Sequence, residues 1–238
     1  MLLRTAAVAL AALAASGLLL APAAQASSRP VQVNGNQLKS ALLPASAFGS
    51  GYQAGPSSGS GGTLFNLPAQ DRISRMSCGT FEDLTGLGNF GQTAFASGYI
   101  NNPNAFGGDY PNTVDNFIQS VDQFASAKAA SSYYGQAYAK YAKCKDFTES
   151  VPEDPNPGGG SSETTVQSFS KTSVGKYQAF QVGQINDDSE STGIDINLNT
   201  LVAVAGTDVF YIMSIAFTND PISTAVMHEL ISRVLKLR

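Results

Sequence analysis

One histidine, two cysteines and two short acidic clusters are the residues of this 238-residue chain whose types could carry chemistry. A catalytic triad needs a nucleophile and a carboxylate to converge on a histidine in a cleft. A helical wheel instead puts His228 beside Thr224 and Ser232, off the apolar stripe, where it should face solvent. No G-x-S-x-G elbow is present to expose a nucleophilic serine. Cys78 and Cys144 stand 66 residues apart, unlike the C-x-x-C of a redox pair, and a zinc site would need further ligands beside them. The run Asn186–Glu190 (NDDSE) lacks the alternating oxygen ligands and the glycine of an EF-hand loop, so it reads as a solvated turn. Glu153 and Asp154 lie in a Pro/Gly-rich loop where a charge pair is ordinary. No phosphate loop, no dinucleotide fingerprint and no recognisable pair of glycosidase carboxylates occurs, and the chain has no Trp to stack a sugar substrate. These residues give no enzyme, no cofactor and no metal site.

Recognition is the chemistry left over. The stretch Tyr99–Tyr110 (YINNPNAFGGDY) mixes three aromatics, three Asn and two Gly. Tyr99, Asn101, Asn104, Phe106 and Tyr110 are its candidate ligand-binding residues, because loops rich in Tyr and Asn suit adaptable polar recognition. The same Asn, Pro and Gly are also what a strand-to-strand loop requires, and both readings stand. Tyr133, Tyr134, Tyr138 and Tyr141 read first as a helix packing face and second as a pocket lining.

Compartment and composition bound the rest. Arg4, an apolar run of about 16 residues and the ending PAAQA at positions 22–26 have the order of a secretory signal peptide, with cleavage expected after Ala26. That run is shorter than the roughly 20 residues a spanning helix needs. The expected organisation is a signal peptide over 1–26 and one domain over 27–238, secreted to the extracellular side with no membrane span. Without Arg4 the chain holds 13 basic and 18 acidic residues, a net charge of −5. That balance excludes a basic nucleic-acid footprint and a polybasic lipid-binding cluster. An even cysteine count in an exported chain predicts one disulfide, Cys78–Cys144, for which loop entropy gives about 4 kcal/mol.

These features sit on elements that the residue patterns define. Gln37–Leu43 reads as a short amphipathic helix with Asn36 as N-cap and Pro44 as stop. The Gly/Ser-rich segments Gly49–Gly62 and Val151–Ser162 read as flexible loops, and Met76–Leu87 as an amphipathic turn or short helix. Thr93–Ile100 and Val114–Val121 carry strand character. Ser126 caps a helix over Ala127–Lys143, with Ala130, Tyr134, Ala137, Tyr138 and Tyr141 on one face. Four strands follow, Thr164–Phe169, Tyr177–Ile185, Gly193–Val204 and Val209–Phe217, the last two joined by a hairpin turn at Gly206–Asp208. Asn219 or Asp220 would cap a final helix with Pro221 in its first turn and a stripe through Ile222, Val226, Leu230, Ile231, Val234 and Leu237. Consecutive strands joined by short turns predict an α+β fold, a twisted antiparallel sheet flanked by helices.

In this order the chain resembles the PknH-like extracellular sensor domains of actinobacterial secreted proteins, lipoproteins and receptor kinases. The segments that carry the resemblance are Gln37–Leu43 (QLKSALL), Arg75–Gly79 (RMSCG), Val121–Ala130 (VDQFASAKAA), Cys144–Phe147 (CKDF) and the closing strand and helix over Val209–Leu237. The resemblance implies a twisted antiparallel sheet with a ligand cleft, a helix-linked disulfide matching Cys78–Cys144, and no enzymatic activity. It carries over no ligand-contacting residue. Members often hold a second disulfide that this chain lacks, and no kinase domain or span accompanies the domain here.

The functional expectation is a secreted, non-enzymatic sensor-like module holding a small molecule or cell-envelope component in a groove between sheet and helices. The alternative is an interaction protein that docks another secreted or envelope protein through a surface patch. A hydrolase would need an exposed nucleophile near His228 or paired carboxylates.

Overall fold

Side chains that alternate along a strand face opposite sides of its sheet, so the alternation fixes what each helix can cover. A computed structural model describes residues 31–55, 59–61, 78, 91–102, 114–150, 162–187, 195–216 and 220–238. Three α-helices are described over their length, α1 (Gly35–Ala41), α2 (Ala127–Tyr141) and α3 (Thr224–Leu235), with a short 3-10 helix over Ala45–Ala47 after α1. Nine strands form one sheet: β1 (Gln53–Ala54), β2 (Gly59–Gly61), β3 (Gln92–Asn101), β4 (Val114–Phe124), β5 (Phe147–Ser150), β6 (Ser162–Val174), β7 (Tyr177–Asp187), β8 (Asp195–Ala205) and β9 (Asp208–Ala216). The order is β1-β3-β4-β9-β8-β7-β6-β5, with β2 also on β3, and every pairing is antiparallel. The expected α+β architecture is therefore the observed one. No helix among the described residues is long and apolar enough to cross a membrane.

Local chemistry sets the details and corrects several boundaries. Asn34, not Asn36, caps α1 through a reciprocal box in which its side chain accepts from Gln37 N and Gln37 Oε1 accepts from Asn34 N. Ser126 caps α2 as expected, and the helix ends at Tyr141, so Lys143 lies beyond it. Ser223 caps α3, which places Pro221 ahead of the helix, because Ile222 must first drop into the core. The segment Gly49–Gly62, expected to be a loop throughout, contributes β1 and β2 to the edge of β3. Backbone hydrogen bonds to an open edge order it where composition does not. The β6–β7 and β8–β9 hairpins each close through two residues, with Gly175 and Gly206 at φ +58° and +60°. Met76–Leu87 lies outside the described residues except for Cys78, which is helical. Cys78 is bonded to Cys144, the expected disulfide.

Two cores result, one per sheet face. On one, α1 and α3 bury Leu38, Met227, Leu230, Ile231 and Val234 against Ala96, Val121, Ala179, Leu201, Ala203, Phe210 and Ile212. Buried glutamines clamp α1 to this face. Gln123 accepts from Val33 N at 3.0 Å and donates to Val33 O at 2.7 Å, while Gln119 makes the same pair of bonds with Leu43, both at 2.8 Å. Arg233 Nε donates to Ala41 O, joining α3 to the end of α1.

On the opposite face α2 lays Tyr133, Tyr134, Ala137 and Tyr141 on Phe124, Phe180, Val182, Val202, Val209 and Tyr211. Phe180 is the hub, with the rings of Tyr134, Tyr138, Tyr141 and Phe169 at 5.3–5.7 Å. Gln167 Nε2 donates to Tyr141 O and Cys144 O, tying the end of α2 and its disulfide to β6.

Candidate functional site

The register lines residues into rows across the face that carries α1 and α3. One row reads Thr172, Ala179, Ala203, Phe210, Val121, Ala96, and it is apolar over five of its six positions. The next reads Ser170, Gln181, Leu201, Ile212, Gln119, Gly98. The third reads Ser168, Gly183, Asn199, Ser214, Phe117, Ile100, so its first four positions are small or polar. Apolar content on the side facing α3 falls along this gradient, while Gly183, Asn199 and Ser214 stay buried.

A cleft of about 210 Å³ opens there, lined by Ser168, Phe169, Ser170, Gln181, Gly183, Asn199 and Pro221. The sheet supplies its floor, and Pro221, on the chain running into α3, supplies one wall. None of the lining residues is charged. Asn199 is only 3% exposed, yet its Nδ2 has no hydrogen-bond partner among the described residues. Its cross-strand neighbour Ser214, equally buried, leaves Oγ without one as well. A buried polar group left unpaired costs about 1–3 kcal/mol; of these two residues Asn199 lines the cleft, and Ser214 lies one strand beyond it.

A second set of buried polar groups lies away from the cleft, Asp122 with Tyr133 and Tyr211 beneath α2, and Asp208 with Arg238 on the opposite face beside Gln123. Asp122 is 1% exposed, and burial pushes its carboxyl up to about 8, against the pull of a hydrogen bond from Gln92, with the charge of nearby Asp208 adding to the rise. Burial also raises the phenols of Tyr133 and Tyr211, which share a 2.8 Å hydrogen bond, and Tyr134 is pushed up to about 12. Asp208 pairs with Arg238, whose Nη2 donates to Oδ1 at 2.7 Å and whose Nη1 lies 2.6 Å from Oδ2, the second contact out of hydrogen-bond alignment. Burial outweighs that cation and still raises the Asp208 carboxyl. These groups stabilise or strain the fold, and none of them lines the cleft.

The residues singled out from sequence fall elsewhere. Tyr99 and Asn101 lie on β3, with Gly55 N donating to Tyr99 O and the Tyr99 ring so close to Gly55 that a Cβ there would sit 2.3 Å from it. The register sets Tyr99 on the α2 side of the sheet, away from the cleft, and Asn104, Phe106 and Tyr110 lie outside the described residues. His228 is exposed, as expected, beside the hairpin turn at Gly175, whereas the cleft floor at Gly183 is eight residues further along β7. Among the described residues no three His, Cys, Asp or Glu side chains gather to hold a metal ion. Sequence reasoning does not single out the lining residues Ser168 and Asn199. Their signal was parity: Asn197 and Asn199 occupy the same side of β8 as Leu201, Ala203 and Ala205.

No family model matches the chain, and no curated protein does either. Among solved structures, the extracellular domain of PknH from Mycobacterium tuberculosis superposes with a TM-score of 0.55 at 16% identity, over 87% of this chain and 97% of that one. At that identity the likeness shows a shared fold, the one the sequence resemblance implied. An uncharacterized protein of Mycobacterium smegmatis, the Rv0999 ortholog, aligns over 87% of this chain and 99% of its own at 12% identity, with a TM-score of 0.39 that carries no argument.

Proposed function

We propose that the chain is exported, is cut after Ala26, and acts outside the cell as a non-enzymatic, sensor-like module that holds a small ligand in the cleft between β6–β8 and the start of α3. The observation that carries this reading is a cleft of about 210 Å³ with an uncharged, largely polar lining that includes Asn199. The fold supports it, since the PknH domain it superposes on is an extracellular one. The disulfide supports an oxidising compartment. Binding works by displacing water from the row and pairing Asn199 with a ligand atom, at a site whose floor is already formed. Tyr99–Tyr110 stays a second candidate contact region for a larger ligand. Docking through an apolar patch gains no support, because among the described residues Val31, 57% exposed, is the one large apolar side chain left in solvent.

The test is the mass of the protein recovered under gentle conditions from the medium of an actinobacterial host, native against denatured. The expected result is an N-terminus at Ser27, two hydrogens missing for the disulfide, and a discrete extra mass lost on denaturation. Ser168→Trp, which fills the cleft from an exposed strand position, should be secreted equally and lack that mass. A bare chain in both proteins would overturn the cleft assignment, and an uncut N-terminus would overturn export.

A further inference from the structure

We infer that the ligand of this cleft is a neutral, hydroxyl-rich ring, one unit of a saccharide, and that Phe117, Phe48 and Tyr52 form the platform for a second unit. This rests on the cleft being the binding site. Charge narrows the class first. A carboxylate, phosphate or ammonium brought against Ser168, Ser170, Gln181 and Asn199 would lose water without meeting a counter-charge, which is costly.

Hydrogen-bond chemistry narrows it further. The polar side chains that line the cleft are the hydroxyls of Ser168 and Ser170 and the amides of Gln181 and Asn199. A hydroxyl both donates and accepts, and an amide carries a donor and an acceptor. Ligand hydroxyls match such a mixed set, whereas a ligand with acceptors alone or donors alone leaves part of it unmet.

Shape agrees. At about 210 Å³ the cleft is smaller than the roughly 300–1,000 Å³ of drug-sized sites, so it admits a single ring. Gly183, between Ser168 and Asn199 in the row, contributes no side chain and leaves the ring its space.

The row continues past Ser214 to Phe117, whose ring lies 4.8 Å from that of Phe48 and 5.5 Å from that of Tyr52. All three aromatics are half-buried. A saccharide has a polar rim and an apolar C–H face, and an aromatic cluster beside a polar row suits the two together. The platform does here what tryptophan, absent from this chain, does in many sugar sites.

The experiment is calorimetric titration of the exported chain with N-acetylglucosamine, glucose and their neutral trimers, against glucosamine and glucose 6-phosphate as charged counterparts. A neutral trimer should bind, its monomer more weakly, and the charged counterparts at least about ten-fold more weakly than the monomer. Asn199→Ala and Ser168→Trp should each weaken binding about ten-fold or more. Phe117→Ala should weaken the trimer while leaving the monomer within about two-fold. Thermal melts of each variant separate lost binding from lost folding. If no neutral saccharide binds in the millimolar range while the native-mass experiment finds a ligand that Ser168→Trp excludes, the saccharide inference is overturned and the cleft assignment survives. If a saccharide binds and Ser168→Trp does not weaken it, the cleft assignment falls and takes this inference with it.

Discussion

The two faces of the sheet solve the same problem differently. Under α2, rings pack on rings: Phe180 alone meets four aromatic neighbours, and the two buried phenols bond to each other. Under α1 and α3, packing is tight at the hairpin end and then gives way to a row of Ser, Gly, Asn and Ser with two unpaired polar atoms. A face that closes on itself serves stability, and one that stops short leaves room for a ligand.

The contrast breaks most visibly at the hub. Phe180→Ala should cost about 3–5 kcal/mol, read as a fall in the urea midpoint, because the crowded rings around it cannot collapse into the space. A loss under 1 kcal/mol would mean that the α2 face is looser than its ring contacts indicate. On the other face the largest effect belongs to a clamp. Gln119→Ala strands Leu43 N–H and C=O in a buried site and should cost about 3 kcal/mol. Replacement by Glu, which keeps the acceptor and loses the donor, should recover only part of it.

The sealed acid beneath α2 gives a signature in pH. Asp122 is raised from 3.8 to about 8 in the fold, so the folded chain holds a proton there that the unfolded chain releases. Its contribution is therefore fully present below about pH 4 and is lost as pH rises to about 8. Asp122→Asn should flatten that part of the stability profile, and an unchanged slope would remove Asp122 as its source. The smallest effect sharpens the comparison most. Asn199→Leu replaces a buried, unpaired amide with an apolar side chain of similar size, and should leave stability unchanged or raise it by about 1 kcal/mol while abolishing binding. A clear loss of stability would show that Asn199 is structural.

Much of the fold was legible because helix and strand periods are local. The Ser126 cap, the stripe of α3, the alternation of Phe117, Gln119 and Val121, and the disulfide all follow from nearby residues and compartment. β1 and β2, set in a Gly/Ser-rich segment, were not legible, because their order comes from the open edge of β3 and not from their own composition. The site was hidden for a related reason. Parity divides Asn199 and Thr200 between two faces but does not say which face loses its helix, and Ser168 meets Asn199 only through the register of three strands. Of the Tyr99–Tyr110 candidates, Tyr99 packs its ring on Gly55, and those from Asn104 on lie outside the described residues.

The most direct test of this division is an NMR titration of the isotope-labelled exported chain with a neutral saccharide trimer. The account predicts that the Asn199 side-chain amide and the backbone amides of Ser168, Gln181 and Gly183 shift, while the ring signals of Phe180, Tyr133 and Tyr211 stay in place. Shifts centred on the α2 face, or none along the row, would contradict it.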